Sequence, residues 1–194
     1  MLNILIVFYS KHGMTEKIAE KIAQGVRTTG CNATLRTVPD IYENVIQKNH
    51  PRSRYQFVSK EDLEECSGII LGSPAYFGSI AAPLKYFIDQ TIDLWLKGTL
   101  INKPVSFFTS ADTMHGGHET TIFSMMLPFF HHGAIVVGIP YSEICLQNTL
   151  TGGSPYGLSH FNGIDGGNSL SKSEIVLAKS MGKRISEISL KMQS

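Results

Sequence analysis

Leu2-Asn3-Ile4-Leu5-Ile6-Val7-Phe8-Tyr9 runs without a break into Ser10-Lys11-His12-Gly13-Met14-Thr15, and Glu16 then opens a segment of helical periodicity. The first piece is short, β-branched-rich and apolar at nearly every position, the pattern of a strand covered on both faces. In the third, Ile18, Ile22 and Val26 recur at four-residue spacing beside Ala19 and Ala23, while Glu16, Lys17, Glu20 and Lys21 occupy much of the opposite face. A buried strand that turns directly into a helix presents unpaired N–H groups to one small volume. Ser10 and Thr15 add hydroxyls there and Gly13 tolerates close approach to backbone, so the turn suits a phosphate; the same hydroxyls would serve equally as helix caps. Neither G-x-x-x-x-G-K-[ST] nor G-x-G-x-x-G is present, so a monophosphate cofactor fits better than a nucleoside triphosphate or a dinucleotide in this turn.

Outward from this unit the chain keeps alternating. Strands are expected at Ala33 to Val38, Gly68 to Leu71, Pro104 to Thr109 and Ala134 to Ile139, the first and last of these closed by Pro39 and Pro140. Helices are expected at Lys60 to Cys66, Ala82 to Lys97, Glu119 to His131 with Pro128 as a kink or early end, and Lys172 to about Lys191. Five parallel strands with intervening helices predict an α/β fold, an open doubly wound sheet with helices on both faces. Residues 1–194 read as a single domain carrying two surface excursions. One, at 41–59, is polar and contains Pro51. The other, at 141–170, holds Gly152-Gly153, Pro155, Gly157, Gly163 and Gly166-Gly167, a density that reads as turns rather than a core element.

The chain has 194 residues, 42% of them hydrophobic, enough to bury a continuous core without metals or disulfides. With 17 basic and 16 acidic residues the net charge is +1, which leaves no strong field to recruit nucleic acid or an anionic membrane. Small molecules or other proteins are the expected partners. Cys31, Cys66 and Cys145 form no CxxC pair and are odd in number, which favours a reducing compartment. With no basic leader and no apolar run long enough to span a bilayer, the expected location is the cytoplasm, without membrane insertion.

In an open parallel sheet a ligand lies beyond the carboxyl ends of the strands, where strand order reverses. Three loops should meet there: Ser10 to Thr15, Ser73 to Ser79 and Ser110 to His118. In the second, Pro74-Ala75-Tyr76-Phe77-Gly78 combines a rigid residue, two aromatics and backbone amides, which suits a flat heterocycle; the alternative is an aromatic turn packed on the next helix. The third, Ser110-Ala111-Asp112-Thr113-Met114-His115-Gly116-Gly117-His118-Glu119, brings polar groups and two glycines to a helix start. Its histidines match no common zinc spacing, so no metal is expected. His131-His132 before Gly133 fits a helix C-terminal cap as well as a ligand.

Taken in order, Ser10-x-x-Gly13-x-Thr15, Gly72 to Gly78, His115-Gly116-Gly117-His118-Glu119-Thr120-Thr121, His131-His132-Gly133 and Gly152-Gly153-Ser154-Pro155-Tyr156-Gly157 resemble the WrbA-type family. The likeness extends to Gly163-x-Asp165-Gly166 and so covers essentially the whole chain. Its members are flavodoxin-like NAD(P)H:quinone oxidoreductases, also called tryptophan-repressor-binding proteins. The resemblance implies a noncovalent FMN with its phosphate on Ser10, Lys11, His12, Gly13, Met14 and Thr15. Its isoalloxazine would lie between the Pro74 to Gly78 loop and the Ser110 to Gly117 loop, with His132 contacting the ring system as the candidate catalytic residue. His12 and Trp95 would belong to the nicotinamide and quinone site, in a dimer or tetramer whose cavity is completed by a neighbouring subunit. Relatives carry Tyr at the position of His12 and Thr-Arg at Ala75-Tyr76, so a cation beside the flavin is missing here.

The implied reaction has two steps through one cavity: NADH or NADPH gives a hydride to the flavin and leaves, then a quinone takes two electrons. The competing readings are a flavodoxin-like one-electron carrier and an FMN-binding regulatory protein without nicotinamide activity. Carriers of that kind are usually strongly acidic to steer protein partners, and this chain is near neutral.

Overall fold

The computed structural model describes all residues except 43, 44, 47–53, 164–168 and 194. In chain order the elements are β1 (Asn3–Phe8), α1 (Met14–Arg27), β2 (Asn32–Thr37), β3 (Ile41–Tyr42), β4 (Val45–Ile46), α2 (Lys60–Glu65), β5 (Gly68–Pro74), α3 (Ala82–Asp89), α4 (Ile92–Leu96), β6 (Pro104–Ala111), α5 (His118–His131), β7 (Ile135–Val136), α6 (Ile144–Asn148), β8 (Leu158–Phe161) and α7 (Lys172–Lys191). The main sheet has the order β2-β1-β5-β6-β7, with β8 also paired to β6, and every pairing in it is parallel. From β1 the chain passes outward to β2 and then returns across β1 to β5, so the order reverses between β1 and β5. The crevice expected from the sequence therefore lies above those two strands.

Alternation along the strands sorts the core into two layers. Ile4, Ile6 and Phe8 of β1, Ile70 of β5 and Phe108 of β6 pack against α1 and α7 through Ile18, Ile22, Leu177, Met181 and Ile185. Leu5, Val7, Ile69, Leu71, Val105 and Phe107 point the other way, onto Leu63 of α2, Leu84 of α3, Leu94 of α4 and Ile122 and Met125 of α5. Burial on both faces explains why β1 shows no polar alternation. β1 ends at Phe8, which stands level with Gly72, Phe108 and Leu158, while β5, β6 and β8 continue past it to Pro74, Ala111 and Phe161.

α1 and α7 approach closely because each offers a glycine at the contact. A Cβ on Gly25 would stand 2.0 Å from the Lys179 carbonyl oxygen, and one on Gly182 would stand 2.2 Å from that of Ile22. Both obstacles are backbone, which no rotamer change removes.

Three expectations need correction. The segment 141–170 is not all turns: it contains α6 and the buried strand β8, so the fifth position of the sheet is shared by two short strands. β7 occupies only Ile135–Val136, since Ile139 turns its N–H to Pro155 and the row leaves the sheet. The helix expected at Ala82 to Lys97 is divided at Gln90-Thr91, where the buried Thr91 hydroxyl donates to the Ile88 carbonyl at 2.7 Å. Pro128 lies inside α5 and does not end it. Of the 41–59 excursion, β3 and β4 form a short antiparallel pair and residues 56–58 run beside Thr37, while Pro51 lies outside the described residues, as do Asp165, Gly166 and Gly167.

Gly25→Ala and Gly182→Ala should each lower stability by about 1–3 kcal/mol from overpacking, outweighing the gain of up to about 1 kcal/mol in helix propensity. Because one small separation of α1 from α7 relieves both clashes, the double variant should cost clearly less than the sum. Urea unfolding midpoints of the four proteins measure this.

Candidate functional site

Each of the three loops leaves the same edge of the sheet, and the bonds between them fix their spacing. Tyr9 donates its N–H to Gly72 at 3.0 Å, Ala75 to Ser110 at 2.8 Å and Asn162 to Ala111 at 2.9 Å. In the first loop Gly13, at φ +89°, is the residue before α1 and brings no side chain to cap it. Ser10 sits behind the loop and its hydroxyl accepts the Glu16 N–H at 3.2 Å; Lys17 N–H bonds to Gly13. Among the described residues no hydrogen bond takes up the amides of Met14 and Thr15, at the positive end of a 14-residue helix.

Thr15 is not a cap. Its hydroxyl crosses to Ser110, oxygen to oxygen 3.1 Å, and both side chains are buried. Two hydroxyls own two protons and this bond consumes one, so the pair retains a donor for a third partner. Around it lies a hole of about 110 Å³ walled by Lys11, His12, Met14 and Thr15 on one side and by Pro74 to Tyr76 and Ser110 to Asp112 on the other. Free amides, a spare hydroxyl proton and a lysine are the donor set of a phosphate monoester.

The hole opens past Ala75, Ala111 and Asp112 into a cleft of about 530 Å³ bounded by Phe77 and Gly78 and by the Asp112 to Gly117 turn, within the range of sites for a flat organic ligand. The two loops touch at glycines: a Cβ on Gly117, itself at φ +76°, would lie 2.5 Å from the Gly78 Cα. The buried Ser73 hydroxyl accepts the Ala81 N–H at 2.8 Å and holds the second loop closed. At the tip of that loop Tyr76 and Ser79 exchange both backbone hydrogen bonds around Phe77 and Gly78, whose φ values are +52° and +72°. Two successive positive values are those of a type I′ turn, in which an aromatic residue at the first position is strained. Phe77 is also wholly exposed, so the strain holds an apolar ring over the cleft at a cost to the fold.

Nearly every residue expected to hold the cofactor thus converges. Met114 lies just outside, in an adjoining recess, and Asn162 joins the wall unforeseen, bonding the Asp112 carboxylate at 3.1 Å through its side-chain amide. Asn162 follows β8, and the strand that delivers it was hidden among glycines.

His132 and Trp95 do not converge. They lie at the C-terminal end of α5, whose 14 residues span about 21 Å from the cleft end. Thr91 spends its only hydroxyl proton on Ile88, so its oxygen accepts from His132, 3.0 Å away, and the proton of the neutral ring sits on Nε2. Burial, with His131 adding to it, pushes the His132 pKa below its ordinary value. Trp95 donates its indole N–H to the His131 carbonyl at 2.9 Å. Within its own chain His132 therefore ties α5 to α4 and stands apart from the cleft. Among the described residues no three His, Cys, Asp or Glu side chains gather as a metal site would need. Cys66 is buried and its thiol is pushed up to about 11, which removes it as a nucleophile.

Residues 3–147 match the sequence profile of the family described as NADPH-dependent FMN reductase. Over 202 aligned residues the chain is 40% identical to a protein of Trichlorobacter lovleyi named NAD(P)H dehydrogenase (quinone), covering 99% of each. It is 37% identical to a protein of the same name from Solidesulfovibrio magneticus, covering 100% of each. Among solved structures it is similar to a WrbA-like flavodoxin from Agrobacterium tumefaciens, at a TM-score of 0.69 and 20% identity over 98% of this chain and 99% of that one. Flavodoxin 2 from Bacillus cereus matches at a TM-score of 0.64 and 18% identity, over 95% and 98%. These two likenesses agree on a flavodoxin-like fold.

Phe77→Asn should raise stability by roughly 0.5–1 kcal/mol, because Asn tolerates positive φ, and should weaken flavin binding by removing the ring. Thermal unfolding without flavin and a flavin titration measure the two effects, which are expected to run in opposite directions.

Proposed function

The chain belongs to the NADPH-dependent FMN reductase family, and from that premise we propose that it is an FMN-dependent oxidoreductase passing two electrons from NADH or NADPH to a quinone. The observation that carries the proposal is the joining of a phosphate-sized hole at the start of α1 to a cleft of about 530 Å³ with an open mouth. FMN held there would supply the chemistry, acceptance of a hydride from nicotinamide and transfer of two electrons to a quinone. The protein's part is placement. The Met14 and Thr15 amides, the Thr15 and Ser110 hydroxyls and Lys11 would hold the phosphate; Pro74 to Gly78 and Ala111 to Gly117 would hold the ring edges. His12, exposed on the wall of the hole, would meet the second substrate, and Phe77 would shield it from water.

Trp95 reaches a flavin only from another copy of the chain. Around it Ile92 is 63% exposed, Leu96 73%, Leu127 62% and Phe130 57%, an apolar face that association would bury. We therefore favour a homo-oligomer, dimer or tetramer, in which Trp95 walls the neighbour's cavity while His132 holds α4 in place. Cys31, Cys66 and Cys145 are all free thiols, which supports a cytoplasmic location. No helix among the described residues is long and apolar enough to cross a membrane.

Anaerobic addition of NADH or NADPH to the FMN-loaded protein should bleach the flavin absorbance, and benzoquinone should restore it. Bound flavin that neither dinucleotide bleaches would refute the oxidoreductase reading in favour of a carrier or regulator.

A further inference from the structure

Beside the flavin cleft lies a second recess of about 380 Å³, which shares His115 and Gly117 with it. One wall is the first turn of α5, with His118, Glu119 and Thr120; the facing wall comes from the segment around Ser154 and from Ser159 of β8. The lining is polar, and among the described residues it includes neither lysine nor arginine. A ligand whose head occupied the cleft could extend its tail into this recess along the shared His115 and Gly117.

Three features define what the recess would accept. The residue before α5, Gly117, gives the helix no side-chain cap, so its first amides are available to a pyrophosphate. His118 Nε2 stands 3.1 Å from the Thr113 carbonyl, which can only accept, so the ring proton is on Nε2. The other nitrogen, Nδ1, is shielded from solvent and has no partner among the described residues. Burial lowers the pKa of this histidine, which favours the neutral ring and so adds no cation to the recess. Glu119, exposed at the rim, contributes a carboxylate. A carboxylate placed against ribose accepts hydrogen bonds from its 2′-hydroxyl, whereas a 2′-phosphate in the same place meets like charge with no cation to offset it.

We propose that this recess holds the adenosine-phosphate half of the nicotinamide dinucleotide and that Glu119 makes the protein prefer NADH to NADPH. The inference rests on the oxidoreductase reading and adds to it a subsite and a specificity residue. It also runs against the NADPH dependence in the family's description, so the preference would belong to this chain's own residues.

Calorimetric titration of the FMN-loaded protein with 5′-AMP and with 2′,5′-ADP tests it without turnover. The wild-type protein should bind 5′-AMP at least about tenfold more tightly. Glu119→Gln should shrink that gap to within about threefold, and Glu119→Lys should reverse it. The ratio of kcat/KM for NADH to that for NADPH should move by the same factors. Equal binding of the two nucleotides, no binding of 5′-AMP, or a gap untouched by Glu119→Gln would overturn the assignment even if both dinucleotides bleach the flavin. Absence of bleaching would instead overturn the oxidoreductase reading, and the calorimetry would still decide whether the recess takes an adenosine nucleotide.

Discussion

Phe8, Gly72, Phe108 and Leu158 stand side by side in four parallel strands, and the cleft depends on that register. β5, β6 and β8 run on beyond the last residue of β1, and short backbone bonds such as Ala75 to Ser110 hold together the loops that leave them. A slip of one residue in any strand would turn its apolar set to the wrong face and would carry a loop away from the others. Burial on both faces of the sheet is what forbids the slip. The energy that positions the flavin loops is therefore hydrophobic and lies in the two helix layers, remote from the chemistry.

On this frame the cleft accumulates local costs. Phe77 holds a backbone conformation suited to Asn or Gly, two loops meet at Gly78 and Gly117 with no space for a side chain, and the first amides of α1 are left without partners. None of these helps the chain fold. Together they leave an apolar ring, a narrow joint and a set of donors facing one volume, which is the form expected when stability is given up for binding.

The sequence made the β1 to α1 unit legible because a strand buried on both faces and an amphipathic helix have strong local signatures. It also marked all three loops, since each follows an apolar strand and is rich in glycine, proline or hydroxyl residues. β8 was not legible: its four residues lie between Gly157 and Gly163, and only pairing with Phe108 to Ala111 makes Leu158 to Phe161 a strand. The position of His132 within the chain follows from topology rather than from local pattern. Residues that precede a strand in a parallel sheet lie at the end opposite the cleft, and both His132 and Trp95 precede strands. Contact of either residue with a flavin would need a second copy of the chain, a relation that one chain's local pattern does not encode.

The central claim is that the start of α1 and the Thr15–Ser110 pair grip a phosphate, and through it a flavin mononucleotide. The most direct measurement compares FMN with riboflavin, which differs by the phosphate alone, by following quenching of flavin fluorescence as cofactor-free protein is added. The account predicts one FMN per chain and riboflavin bound at least about a hundredfold more weakly, since charge-assisted hydrogen bonds of about 1.5–3 kcal/mol each would be lost. Equal affinities for the two flavins would contradict it, because the phosphate would then contribute nothing at the site on which the rest of the cleft is built.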